Sequence, residues 1–313
     1  MLSRRQLRVR VMQALYAFFQ HENNNITIAQ KEMLSASERA YDLYLQLLLL
    51  LPEMAHLENQ YLIDAPRKYV GKTNVSLNKL ENNLVIKFLS TNFQFNDHIK
   101  KRSLNWSKDV DLLNRIFLTL RLSDLYKNYI EAEEGHYVKS QVEFCQLFFK
   151  EQIITNEVFT HEMEDKNVFW AESFEMISSM VLKTIASYDD KKQSLEIMPM
   201  FRDTEEDIEF MKKLFTETIK NNEWFTEIIS DKTKNWDVDR IALMDILLIK
   251  MALAEVISFE NVPVKVSINE YLEISKAYST PKSKIFINGV IDKLVNDLRE
   301  ANKVNKTGRG LVE

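Results

Sequence analysis

Apolar residues recur at helical spacing along almost the whole chain. Near the N-terminus, Leu7, Val11, Ala14, Leu15 and Phe18 stand three and four residues apart, the spacing of one buried helix face. Ser3 precedes them as an N-cap. A leucine-rich run predicts a long helix from Lys31 to Leu51, closed by Pro52. Residues 53–100 read as helix, loop and helix, with Asp64-Ala65-Pro66 and Gly71-Lys72-Thr73-Asn74 as loop signals. Further helices are predicted over 106–130, 137–153 and 168–188, with Glu131 to His136 as a loop. Asp203 and Glu206 stand at capping-box spacing before a helix over 205–220. An apolar helix from Ile241 to Phe259 and another from Val264 to Tyr278 follow. Thr280-Pro281 then opens a last helix whose core stripe is Ile287, Val290, Ile291, Leu294 and Leu298. The expected fold class is all-α.

Composition sharpens that picture. The 313 residues include 5 glycines, where average usage would give roughly 20, so phosphate-cradling loops are scarce. The single cysteine, Cys145, cannot form an internal disulfide and fits a reducing compartment. It lies in an apolar run and reads as a small buried hydrophobe. The apolar run from Leu43 to Leu51 is far short of the ~20 residues of a membrane span. A cytoplasmic protein without membrane attachment is expected.

The chemistry of catalysis is missing from the motifs. His21, His56, His98, His136 and His161 are scattered without metal-ligand spacing, and no nucleophile motif or glycine-rich nucleotide loop occurs. Neither enzymatic activity, a cofactor nor a metal is expected, which leaves binding. Net charge is −5, yet the first 20 residues hold Arg4, Arg5, Arg8 and Arg10 and no acid. A basic arm on an acidic body can meet phosphate locally. On a helix, Arg4, Arg5 and Arg8 lie within about 100° of one another, and Met12, Tyr16 and Phe19 continue the same arc. Arginine forks suit phosphate and tyrosine offers a stacking face to a base. The last helix carries a second such arc, Lys282, Phe286, Gly289 and Lys293, in which Phe286 is expected as an exposed stacking residue rather than a core aromatic. Asn105-Trp106 and Asn235-Trp236, each followed by Val-Asp, form a weak internal echo for which chance is the simpler explanation.

The C-terminal third resembles a known family. Asp239-Arg240, the run Lys250 to Glu255, the run Val262 to Glu270 (VPVKVSINE) and the run Phe286 to Lys293 (FINGVIDK) are similar to the bacterial antitermination factors of the NusB family. Arg4-Arg5, Arg8 and Gln13 to Tyr16 are similar to that family's arginine-rich first helix. The resemblance implies two small helical bundles. It also implies binding of the boxA element of rRNA transcripts together with NusE, a small-subunit ribosomal protein, within an RNA polymerase elongation complex. Carried over by position, the RNA face comprises Arg4, Arg5, Arg8, Tyr16, Lys282, Ser283, Lys284, Phe286 and Asn288, and Asp245 is expected on the NusE surface. Lys282 stands where many relatives carry an acid, which should raise RNA affinity and its salt dependence. Family members are about half this long. The expected organisation is therefore residues 1–30 as the first helix of the NusB-like domain, and 31–200 as a helical insertion or elaborated first bundle. Residues 201–304 complete the domain and 305–313 form a flexible tail. The alternative is a helical protein–protein scaffold in which RNA binding is lost.

Overall fold

A computed structural model of the chain describes residues 2–21, 25–68, 80–132, 137–167, 170, 173–233 and 242–311. No strand occurs among the described residues, and the chain is all-α. It divides into two compact units, Met1–Ser37 with Phe201–Glu313, and Glu38–Met200. No helix among the described residues is long and apolar enough to cross a membrane.

The second unit is assembled on α2 (Ile26–Lys68), whose first turns belong to the first unit. Leu43, Tyr44, Leu45, Leu47, Leu48, Leu50 and Leu51 are all buried, so the helix is apolar on every side and is covered on every side. That burial explains why Pro52 does not end it. A helix-interior proline costs about 3 kcal/mol, and the packing of Met54 and Ala55 beyond it is retained only if the helix continues. Around α2 stand α3 (Leu84–Thr91), α4 (Phe93–Lys101), α5 (Val110–Leu122), α6 (Asp124–Glu131), α7 (Val138–Phe148), α8 (Glu157–Lys166) and α9 (Phe174–Ala186). The single helix predicted over 106–130 is in fact two. Ser123 adopts an extended backbone, and its hydroxyl accepts the Tyr126 N–H at 3.2 Å to start α6. A π-turn, Phe149–Ile154, continues α7. Gly71 to Asn74, Asn235-Trp236 and Asp239-Arg240 lie outside the described residues.

The first unit joins α1 (Arg4–Gln20) to α10 (Thr204–Lys220), α11 (Asn222–Thr233), α12 (Leu243–Ser258), α13 (Val264–Tyr278) and α14 (Ser283–Glu300). α12 is its central helix, buried from Leu247 to Val256 apart from Lys250 and in contact with every other helix of this group. Asp203 caps α10 as expected, accepting the Glu206 N–H at 3.0 Å. The reciprocal acceptor is Asp207 rather than Glu206, because Glu206 is engaged by Arg4. Residues 305–311, expected to be a flexible tail, instead end in a 3-10 turn, Gly308–Leu311, hydrogen-bonded to the α12–α13 loop.

Candidate nucleic-acid interface

α1 opens on a full capping box. The Ser3 hydroxyl accepts the Gln6 N–H at 3.3 Å, and Gln6 Oε1 accepts the Ser3 N–H at 2.6 Å. This fixes the first turn, from which Arg4, Arg5 and Arg8 project.

The structure places these arginines differently from the expectation. Arg8 is only 3% exposed and grips Glu255, itself fully buried, through Nε and Nη2 at 2.7 and 2.5 Å. Glu255 also accepts the hydroxyls of Ser267 at 2.7 Å and Tyr271 at 2.9 Å, so both carboxylate oxygens are doubly engaged. Burial opposes the Arg8 charge, but the Glu255 hydrogen bonds and charge outweigh it, and the guanidinium is held above the ordinary arginine range. Tyr271 is pushed well above the usual phenol range, first by burial and then by Glu255. Arg5 is half-exposed and forks onto Glu270 at 3.0 and 2.9 Å. Arg4 pairs with Glu206, lies 3.4 Å from Asp207 and stacks 4.6 Å above the Phe210 ring. All three forks expected to meet phosphate therefore hold carboxylates of their own unit, and Arg8 is a core group. Tyr16 is exposed, about 16 Å along α1 from Arg5 at 1.5 Å per residue.

On the other side of α13 the sequence expectation is again only partly met. α14 begins at Ser283, not at Thr280-Pro281, because the Ser283 hydroxyl is drawn to Asp245 Oδ2 at 2.7 Å. The Ser279 hydroxyl takes the other Asp245 oxygen. Asp245 and Ser283 are thus buried as a clamp between the start of α12 and the turn before α14, and neither presents a contact surface. Phe286 is 7% exposed and belongs to the core. It stands three residues after buried Ser283 and four before buried Val290, so it widens the core stripe instead of facing outward. Asn288 is half-buried and donates to Asp292 at 3.0 Å. Lys282 and Lys284 are exposed.

Exposed cations of α1 and α14 both act on one carboxylate of α13. Glu273 on α13 is held below the usual carboxylate range, first by a hydrogen bond from Lys276, then by the charges of Lys276, Arg5 and Lys284. α13 packs against both helices, and the charges of Arg5, Lys276 and Lys284 all reach its Glu273. Glu255, Glu270 and Tyr271, which organise this site, carry no site role in the sequence expectation, although Glu255 and Glu270 end two of the family-like runs. The available signal was angular: on the helical wheel Arg8 falls between Leu15 and Met12, inside the buried stripe of α1. Among the described residues no three metal-ligating side chains converge.

Comparison with known proteins bears on this architecture. The NusB family model matches residues 173–296, from just before α9 into α14. The chain is 49% identical to the transcription antitermination protein NusB of Salinibacter ruber over 104 residues, 33% of this chain and 65% of that protein. It is 34% identical to the protein of that name from Chloroherpeton thalassium over 145 residues, covering 44% of this chain and 68% of the relative. With the one from Natranaerobius thermophilus it shares 32% identity over 93 residues, covering 30% and 67%. The match thus spans about two thirds of each relative and less than half of this chain. No solved structure matches. Because the family model covers α12, α13 and most of α14, and the Chloroherpeton thalassium protein aligns over 68% of its length at 34% identity, this chain belongs to the NusB family.

Proposed function

We propose that the protein is a non-enzymatic, RNA-binding transcription antitermination factor. In this reading it binds boxA-type RNA of rRNA transcripts together with NusE, joins an RNA polymerase elongation complex and promotes rRNA transcription. The observation that carries the reading is similarity, at 32–49% identity, to three relatives that bear the name transcription antitermination protein NusB.

The arrangement of exposed groups supports the RNA part. Lys282 and Lys284 offer point charges to phosphate, half-exposed Arg4 and Arg5 can exchange carboxylate for phosphate, and Tyr16 offers a stacking face. Asn288 lies one helical turn beyond Lys284. Arg8, Ser283 and Phe286 act indirectly, by holding α1 and α14 in place. Asp245 bears on NusE through the turn it fixes.

Fluorescence anisotropy with a boxA-type oligoribonucleotide, with and without NusE, tests the reading. Arg5→Ala combined with Lys284→Ala should weaken binding and reduce the salt slope by about 1.4, at ~0.7 per phosphate contact on a single strand. Affinity and slope unchanged in that double variant would remove these residues from the RNA face. Absence of boxA affinity in the full chain would favour the scaffold reading.

A further inference from the structure

The described chain ends in a strap whose geometry is specified residue by residue. The Thr307 N–H donates to the Glu260 carbonyl at 3.1 Å, and the Thr307 hydroxyl donates to Asn261 Oδ1 at 3.3 Å. Lys306 Nζ donates to the Phe259 carbonyl at 2.9 Å. Gly308 adopts φ +52°, the left-handed region that glycine occupies without strain. Gly310 is pressed so closely onto the same loop that a Cβ there would lie 1.8 Å from the Glu260 carbonyl oxygen. Two glycines and a threonine thus lock the strap to the α12–α13 loop.

Arg309 is exposed on this strap, with Thr307 and Leu311. Gly308 and Arg309 line a cleft of about 1460 Å³ together with Arg4, Arg5 and Phe210 and with the carboxylates of Glu206, Glu209, Glu260 and Glu270. Arg4, Arg5 and Arg8 in that cleft are each paired with carboxylates. Arg309 is exposed and, among the described residues, lies within ion-pair distance of no acid. A guanidinium held at a cleft mouth on a specified backbone, with its donors unspent, suits a bidentate phosphate contact.

We infer that Arg309 is an RNA-backbone contact, and that the Thr307–Gly310 strap exists to hold it at the cleft. The inference rests on the RNA-binding reading above and adds to it a contact from the opposite end of the chain. The test measures the full chain with a boxA-type oligoribonucleotide by anisotropy across a salt series. Arg309→Gln should weaken binding about fivefold at 0.1 M salt and reduce the salt slope by about 0.7, the electrostatic share of one phosphate contact. Its melting temperature should stay that of the parent. Arg309→Lys should restore the slope, since it restores the charge. Gly310→Ala should reproduce the loss with Arg309 still present, because the strap must lift from Glu260. An Arg309→Gln protein with parental affinity and slope overturns the inference while leaving the RNA-binding reading intact. Loss of NusE capture by Arg309→Gln with RNA binding unchanged overturns it in favour of an acidic protein contact. A parent chain without RNA affinity overturns both.

Discussion

The two units bury different materials. Glu38–Met200 closes on a continuous apolar cluster around α2, rich in rings such as Trp106, Phe148, Phe149 and Phe159. Its buried polar groups mostly secure backbone: Glu58 accepts the Leu80 N–H at 2.7 Å, and Asn83 caps α3. The unit built from Met1–Ser37 and Phe201–Glu313 instead places a charge pair, Arg8 with Glu255, at the junction of α1, α12 and α13. An apolar contact can slide by a fraction of a turn at small cost. A forked guanidinium facing a carboxylate that already holds Ser267 and Tyr271 accepts one register. The difference teaches where precision is needed: in the unit whose Arg5 of α1, Lys276 of α13 and Lys284 of α14 all act on Glu273.

The largest expected effect breaks that pair. Glu255→Gln removes the carboxylate that grips Arg8, leaving the buried guanidinium only Glu270 at 3.8 Å, and should destabilise the protein by about 3 kcal/mol, the lower end for a broken buried pair. Phe148→Ala in the other unit should cost a similar amount, about 3–5 kcal/mol, through a cavity. The two differ in their rescue. Arg8→Met combined with Glu255→Leu should recover part of the lost stability, because an apolar pair replaces the buried ions, while the buried Ser267 and Tyr271 hydroxyls lose their acceptor and keep the recovery incomplete. Boxa-type RNA affinity should stay reduced in that double variant, since the register of α1 is no longer imposed. Urea denaturation and anisotropy on the same preparations check both halves. A cost below about 1 kcal/mol for Glu255→Gln, on a scale where surface changes stay within ±0.5, would erase the contrast between the units.

A comparable effect separates core from surface within α14. Phe286→Ala should lower stability by about 3 kcal/mol, as expected for a ring deleted from a packed interior. Lys282→Ala, four residues earlier and exposed, should stay within about 0.5 kcal/mol. Thermal melts of the two variants decide the matter. An unchanged melt for Phe286→Ala would return that ring to the surface.

Much of the fold was legible because helical periodicity is a one-dimensional signal. The buried stripes of α1 and α14 and the Asp203 cap follow from spacing alone. Pro52 misled because local propensity is outweighed by burial on every side of α2. At the site, the residue types were legible and their partners were not. Arg8 and Glu255 are 247 positions apart, and nothing local tells an arginine whether a phosphate or a distant carboxylate will fill its fork. Phe286 was misread for a related reason: on a wheel it sits at the boundary between stripe and surface, and only the neighbouring helices decide which side it joins.

The smallest expected effect concerns the strap. Burial lowers the Lys306 ammonium to about 8 from its ordinary 10.5, with Glu255 and Glu260 acting in the opposite direction. Below pH 8 the amine is charged in both folded and unfolded chains, and the full penalty of burying that charge is present. Between about pH 8 and 10.5 the folded chain has released the proton while the unfolded chain still binds it, so this group contributes stability that rises with pH and levels off above 10.5. The neutral amine still has an N–H to donate to the Phe259 carbonyl, so deprotonation removes the penalty without removing the bond. Because Lys306 is half-buried, solvent screening keeps the gain modest. Other lysines titrate in the same range, so the informative quantity is the stability difference between the parent and Lys306→Met. That difference should grow in the parent's favour from pH 8 to 10. A difference constant across the window would mean that the strap holds its lysine in water, and that the lock resides in Thr307, Gly308 and Gly310 alone.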